Sequence, residues 1–217
     1  MLTDAEREAM ARLWARKVEQ DVRGLPQAER HRNLEPASAE FIYALATGCG
    51  ARRLLEIGGS SGLSTVALAA AARERSGRLT SIELIPERQE EAERTLEMLE
   101  LAQYVEFVLA DAGDCLPQLG PFDLVLIDCE KEDYVRFFDM LRLAPGALVV
   151  ADNILSHDIE SYVRHVRSQP GIESLTLPIG KGLEVSRLAT NRQKVSARES
   201  APSGDLAPFG RMSSEPV

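Results

Sequence analysis

Five short apolar runs, each ending in an acid, constrain this chain most. They are Leu54-Leu55-Glu56, Thr80-Ser81-Ile82-Glu83, Val108-Leu109-Ala110-Asp111, Leu124-Val125-Leu126-Ile127-Asp128 and Leu148-Val149-Val150-Ala151-Asp152. Segments with helical spacing separate them, so the pattern is β-α-β throughout and predicts an α/β fold with a parallel sheet. Ligands of such sheets bind beyond the carboxyl ends of the strands, where these acids would project. The 217 residues, 44% of them hydrophobic, suffice for one domain with a full core and are too few for two comfortable ones.

The predicted strands are Arg53 to Ile57, Leu79 to Glu83, Val105 to Leu109, Asp123 to Asp128 and Ala147 to Ala151. Two more, Glu173 to Leu177 and Leu183 to Leu188, are joined by a turn short enough to require an antiparallel pair. Ahead of the sheet, Thr3 and Glu6 form a candidate capping box for a helix to about Arg23 with Met10, Leu13, Trp14 and Val18 on one stripe. A second helix carries Phe41, Ile42 and Leu45. Residues 1–50 are therefore expected to form a helical segment capping the site and residues 51–188 the core. Residues 189–217 are expected to be a disordered tail, because Ser, Pro, Gly and Arg dominate there without apolar period.

Composition excludes several classes. A net charge of -9 offers no general attraction to phosphate backbones, so a non-specific nucleic-acid binder is not expected. Cys49, Cys115 and Cys129 are odd in number and lack metal spacing, which disfavours a disulfide framework or zinc knuckle. No basic region followed by an apolar stretch opens the chain and no run approaches membrane-spanning length, so no membrane partner and a cytoplasmic location are expected.

Gly58 and Gly62 fall where the first strand turns into a helix, and they either serve that tight turn alone or let a ligand approach the backbone. Glu83, 21 residues past Gly62, stands where a carboxylate can accept both hydroxyls of a ribose. Neither Gly-x-Gly-x-x-Gly nor Gly-Lys-Ser/Thr occurs here, which disfavours a dinucleotide or a P-loop phosphate. Glu56, just before the glycines, suits a ligand with an ammonium group. S-adenosylmethionine combines that group with a ribose and has no phosphate.

Taken together, Glu56-Ile57-Gly58-x-x-x-Gly62-x-Ser64-Thr65, Ser81-Ile82-Glu83, Phe122-Asp123-x-x-x-Ile127-Asp128-x-x-Lys131-x-x-Tyr134 and Ala151-Asp152-Asn153 resemble the cation-dependent O-methyltransferases of catechol and caffeoyl-coenzyme A type. The resemblance implies the Rossmann-like class I methyltransferase fold: a seven-stranded, mostly parallel sheet with an antiparallel last strand and helices on both faces. It implies cofactor contacts at Glu56, Gly58 and Gly59 to the methionine part, Ser64 to its carboxylate, Glu83 to the ribose and Ala112 to the adenine edge, with Asp128 beside them. A further backbone contact would fall near Leu34.

Asp128, Asp152 and Asn153 end adjacent strands with oxygen donors only, so a metal there would be hard, Mg²⁺ first; otherwise these residues merely cap strand ends. Lys131 resembles the family's general base. A lysine is ordinarily protonated near neutrality, so the role requires desolvation or a neighbouring cation to make the amine less basic. Glu184 resembles a position that binds a substrate hydroxyl in the catechol branch, or is a plain strand acid. His157 could line the acceptor pocket or sit in solvent, whereas Trp14, Tyr43, Tyr134 and Tyr162 are expected in packing.

The expected activity is methyl transfer from S-adenosylmethionine to a hydroxyl of a small, catechol-like acceptor with vicinal oxygens, assisted by a divalent metal. One alternative acceptor is a hydroxylated uridine of tRNA, which a clustered basic rim such as Arg30 and Arg32 would favour. Another alternative is a non-catalytic cofactor-binding protein of the same fold, which would have no need of Lys131 with the full acid set. The resemblance and the apolar stripe of the first helix suggest a homodimer.

Overall fold

A computed structural model describes residues 1–26 and 29–190. Seven strands form one sheet: β1 Arg53–Ile57, β2 Arg78–Glu83, β3 Val105–Leu109, β4 Phe122–Ile127, β5 Leu143–Ala151, β6 Ile172–Leu177 and β7 Leu183–Leu188. Their order across the sheet is β3-β2-β1-β4-β5-β7-β6. The pairs from β3 to β5 are parallel, and β7 runs antiparallel to both β5 and β6. This is the mostly parallel sheet closed by an antiparallel pair that the spacing predicts, and the class I methyltransferase arrangement that the resemblance implies.

Side chains alternate across the strands and feed two apolar layers. Leu54, Leu124, Leu126 and Val150 face one layer with helix α3 (Leu63–Arg75), while Leu55, Ile57, Val125 and Val149 face the other with α6 (Tyr134–Met140) and α7 (Glu160–Ser168). Helix α3 is alanine-rich and buried from Leu63 to Ala72, because α1 (Asp4–Val22) and α2 (Pro36–Gly48) cover the side that the sheet does not. Thr3 and Glu6 do form the capping box of α1, with reciprocal bonds of 3.2 and 2.8 Å. Helix α4 (Pro86–Met98) packs through Ala92, Thr95 and Leu96, and the short α5 (Ala112–Cys115) follows β3.

Met10 and Leu13 of α1 are buried within the chain's own core, whereas Trp14 is half-buried and Val18 exposed, so the chain covers the N-terminal half of the stripe that suggested a homodimer. Strand β5 starts four residues earlier than its apolar run, because Leu143 pairs with Phe122 across an irregularity that absorbs Pro145 and Gly146. The tail assigned to 189–217 lies, from residue 191 on, outside the described residues. No helix among the described residues is long and apolar enough to cross a membrane.

Candidate active site

Backbone hydrogen bonds carry the sheet past its carboxyl edge and place the acids there. Gly58 N donates to Ile82 O (2.8 Å), Asp128 N to Ile57 O (2.9 Å) and Asp152 N to Ile127 O (3.1 Å). Four of the five strand-end acids therefore reach ligand-accessible space. Glu83, Asp111 and Asp128 line a cavity of about 520 Å³, and Asp128 and Asp152 line a second of about 300 Å³. Asp128 and Arg32 belong to both.

In the larger cavity the β1–α3 turn brings Gly58 against the end of β4. At φ +94° a Cβ there would stand 2.2 Å from the Asp128 carbonyl oxygen, so the glycine is dictated by close approach of two backbones. The carboxylate of Glu83 accepts from the N–H groups of Leu84 (2.8 Å), Ile85 (2.9 Å) and Ser60 (2.8 Å). Three donors fix its position: Oε1 takes the two from Leu84 and Ile85, and Oε2, with one from Ser60, retains acceptor capacity for a ligand hydroxyl. Ala112 lines the same cavity at the start of α5, as do Cys129, Arg88 and Phe137. Burial raises the Cys129 thiol and lowers the Arg88 guanidinium from their ordinary values.

Glu56, Gly59 and Ser64 do not line that cavity; they form the layer beneath it. Glu56 lies one residue before the end of β1 and so points to the α3 face, where Oε2 accepts from Thr65 (2.7 Å) and from Ser81 (2.6 Å), its register partner on β2. Its Oε1 is buried without a partner. Burial pushes this carboxyl up, against the opposing hydrogen bonds of Ser64, Ser81 and Thr65. Leu34 is buried in the core, and its neighbours Arg32, Asn33 and Glu35 line the second cavity.

That second cavity gathers Asp128, Lys131, Asp152 and Asn153. Asn153, in the left-handed region at φ 65°, donates from Nδ2 to Asp128 Oδ1 at 2.9 Å. Lys131 Nζ donates to Asp128 Oδ1 (3.3 Å), Cys129 O (2.9 Å) and the Tyr134 hydroxyl (2.8 Å), and that hydroxyl donates to Asp152 O (3.2 Å). Asp152 is buried with Oδ1 lacking a partner; burial first and the Asp128 charge second push its carboxyl up to about 8. Two close carboxylates, one with an orphaned oxygen, and an amide oxygen make a donor set that fits a hard divalent cation. Among the described residues no group of three His, Cys, Asp or Glu side chains offers an alternative metal site.

Two minor candidates separate. His157 lines the second cavity. Glu184 does not: it pairs with Ala151 and Thr176 across the sheet and is buried under Arg167 (2.9 Å), Ser174 and Thr176 (2.5 Å each), a structural ion pair on the α7 side. Tyr134 and Tyr162 pack edge to face at 5.4 Å as core residues, although the Tyr134 hydroxyl also holds Lys131. Arg88 escapes the sequence argument, and Arg32, read there only as part of a basic rim, lines both cavities. Arg88 had one signal: a cation in the first turn of a helix opposes the helix dipole and is better explained by a nearby acid such as Glu83.

The sequence matches the family described as "Methyltransferase domain" over residues 55–154. It is 36% identical over 130 residues to a catechol O-methyltransferase of Niastella koreensis, covering 57% of this chain and 58% of the relative. It is 42% identical over 120 residues to a catechol O-methyltransferase of Mycobacterium tuberculosis, covering 54% of each. The chain thus spans little more than half the length of these curated relatives. The fold superposes on the crystal structure of cofactor-bound Rv0187 from MTB with a TM-score of 0.71 and 29% identity, covering 85% of this chain and 91% of that one. With this strand order, and with the glycine turn and acids in place at its carboxyl edge, the chain has the class I methyltransferase fold and is similar in sequence to catechol O-methyltransferases over little more than half of its length.

Proposed function

We propose that the protein transfers a methyl group from S-adenosylmethionine to one of two neighbouring oxygens on a small acceptor, with a divalent cation, Mg²⁺ first, held by Asp128, Asp152 and Asn153. The observation that carries this is the shared wall: Asp128 faces both cavities, with Lys131 3.3 Å from its carboxylate. A cofactor on one side and an acceptor on the other would meet at that residue, and such placement lowers a barrier by removing the entropy of encounter.

Glu83 would accept the ribose hydroxyls, the backbone at Gly58 and Ala112 would border the cofactor, and the orphaned Oε1 of Glu56 would answer its ammonium through the glycine turn. When bound, S-adenosylmethionine supplies an electrophilic methyl and the cation a Lewis acid for vicinal oxygens. Lys131 would take the acceptor's proton at Nζ once that amine is neutral, and Tyr134, fixed by its bond to Asp152 O, aims the amine toward the second cavity.

The test separates binding from chemistry. Calorimetry should show S-adenosylmethionine binding with and without chelator, while methyl transfer to a catechol probe should vanish in chelator and return with Mg²⁺. Lys131→Ala should keep cofactor binding and slow transfer by roughly 10²- to 10⁴-fold. Full transfer in excess chelator would refute the metal assignment.

A further inference from the structure

We propose that the acceptor is itself an acid: a small, single-ring molecule that carries a carboxylate or comparable anionic group in addition to its vicinal oxygens, held by Lys17 and Arg30. This rests on the methyl-transfer reading for the position of the oxygens, and on the second cavity for everything else. Every described side chain lining that cavity is polar or charged. A neutral aromatic ring gains affinity by burying its faces against apolar or aromatic walls, and the rings on this cavity's described wall are only the imidazoles of His31 and His157. At about 300 Å³ it is at the small end of ligand pockets.

The charges are not evenly spread. The sheet edge contributes Asp128 and Asp152, the reacting end. The N-terminal segment contributes Lys17, Arg30 and Arg32 against two acids, Asp21 and Glu35, and Asp21 accepts from Lys17 at 2.5 Å and from Arg30 at 3.1 Å. One carboxylate cannot neutralise two cations, and Arg32 turns to Glu130, which lines the other cavity. Glu35, the remaining acid, is engaged with Lys181 through both its backbone N–H (3.1 Å) and its ammonium (3.7 Å).

The cations are also built in. Lys17 is 14% exposed and lies 5.0 Å over the Trp14 ring, and Arg30 is 32% exposed. Lys17, then Arg30, hold the Asp21 carboxyl below its ordinary range, so it stays charged and keeps both cations in place. Partly desolvated positive charge in excess of its counter-ions favours an anionic ligand. Because all four residues line the one cavity, the vicinal oxygens would face Asp128 and Asp152 while the acid meets Lys17 and Arg30.

The experiment compares 3,4-dihydroxybenzoate with 3,4-dihydroxybenzyl alcohol, equal in size and differing in charge, by calorimetric binding and by methyl transfer with S-adenosylmethionine and Mg²⁺. The acid should bind roughly tenfold or more tighter than the alcohol, the scale of a charge-assisted contact. Arg30→Gln should bring that ratio close to one, and Arg30→Lys should restore most of it. Acid binding without transfer to either probe would sink the methyl-transfer reading and leave the acidic pocket standing. Equal binding of the two probes, binding of neither, or an unchanged ratio in Arg30→Gln would overturn the inference. So would transfer confined to undermodified tRNA, which would assign the cationic wall to RNA phosphate.

Discussion

Asp128 and Asp152 end neighbouring parallel strands, so the sheet that positions them also forces two carboxylates together. Without a cation the burden falls on Asp152: its folded-state value of about 8 lies far above the ordinary 3.8. The folded protein then binds a proton that the unfolded chain gives up. Stability from this group is fully present below about pH 4 and is lost as pH rises toward 8. Chelator-treated Asp152→Asn should therefore melt higher than wild type at pH 8, and the gap should close near pH 4. Mg²⁺ should raise the wild-type melting temperature much more than the variant's, by mass action on the folded state. A wild type indifferent to Mg²⁺ at pH 8 would remove the cation from this pair. These acids are legible in sequence because they close apolar runs of strand length. Glu184 misleads because its role depends on cross-strand register: only the pairing with Thr176, and Arg167 overhead, show that it is committed to an ion pair. Arg32 lies in a segment without period, where sequence carries no sign of what it faces.

At the scale of elements, the β1–α3 turn meets the strand end that the two cavities share. Gly58 touches the Asp128 backbone, and Gly62, at φ +101°, lets the start of α3 approach α4, where an added Cβ would stand 2.9 Å from Ala92. Both glycines therefore have packing reasons, and the turn's use for a ligand follows from what that packing leaves open. Gly58→Ala should destabilise the protein by roughly 3 kcal/mol or more, combining left-handed strain with backbone overlap. Because the overlap is with Asp128, urea unfolding should show the loss together with weakened binding of both S-adenosylmethionine and Mg²⁺. A variant with unaltered midpoint and affinities would mean that the turn is more compliant than its contacts imply. Strand and helix types along this stretch are legible from period alone. The start of β5 is not, since Pro145 and Gly146 read as a loop and are carried into the strand by pairing at Phe122.

At the scale of the whole molecule, the first fifty residues are both a wall of the second cavity and a layer of the core. Leu2, Met10, Leu13, Leu34 and Ile42 are buried in the same apolar cluster as the sheet's Leu54 and Leu126. Sequence periodicity shows that α1 has an apolar stripe, but not what covers it; here Met10 and Leu13 pack into the core that the buried alanines of α3 share, while Val18 stays exposed. At about 2 kcal/mol for each large side chain, those five contribute on the order of 10 kcal/mol, which is comparable to the entire net stability of a domain. The segment cannot then be a detachable cap. Deleting residues 1–50 should abolish the cooperative urea transition and the near-ultraviolet circular dichroism signal, leaving a chain that aggregates through the uncovered face of α3. If the truncated protein instead unfolds cooperatively and still binds S-adenosylmethionine, then the core is self-sufficient. In that case the N-terminal segment would serve the acceptor alone, and Lys17 and Arg30 would be free to vary with the substrate without cost to the fold.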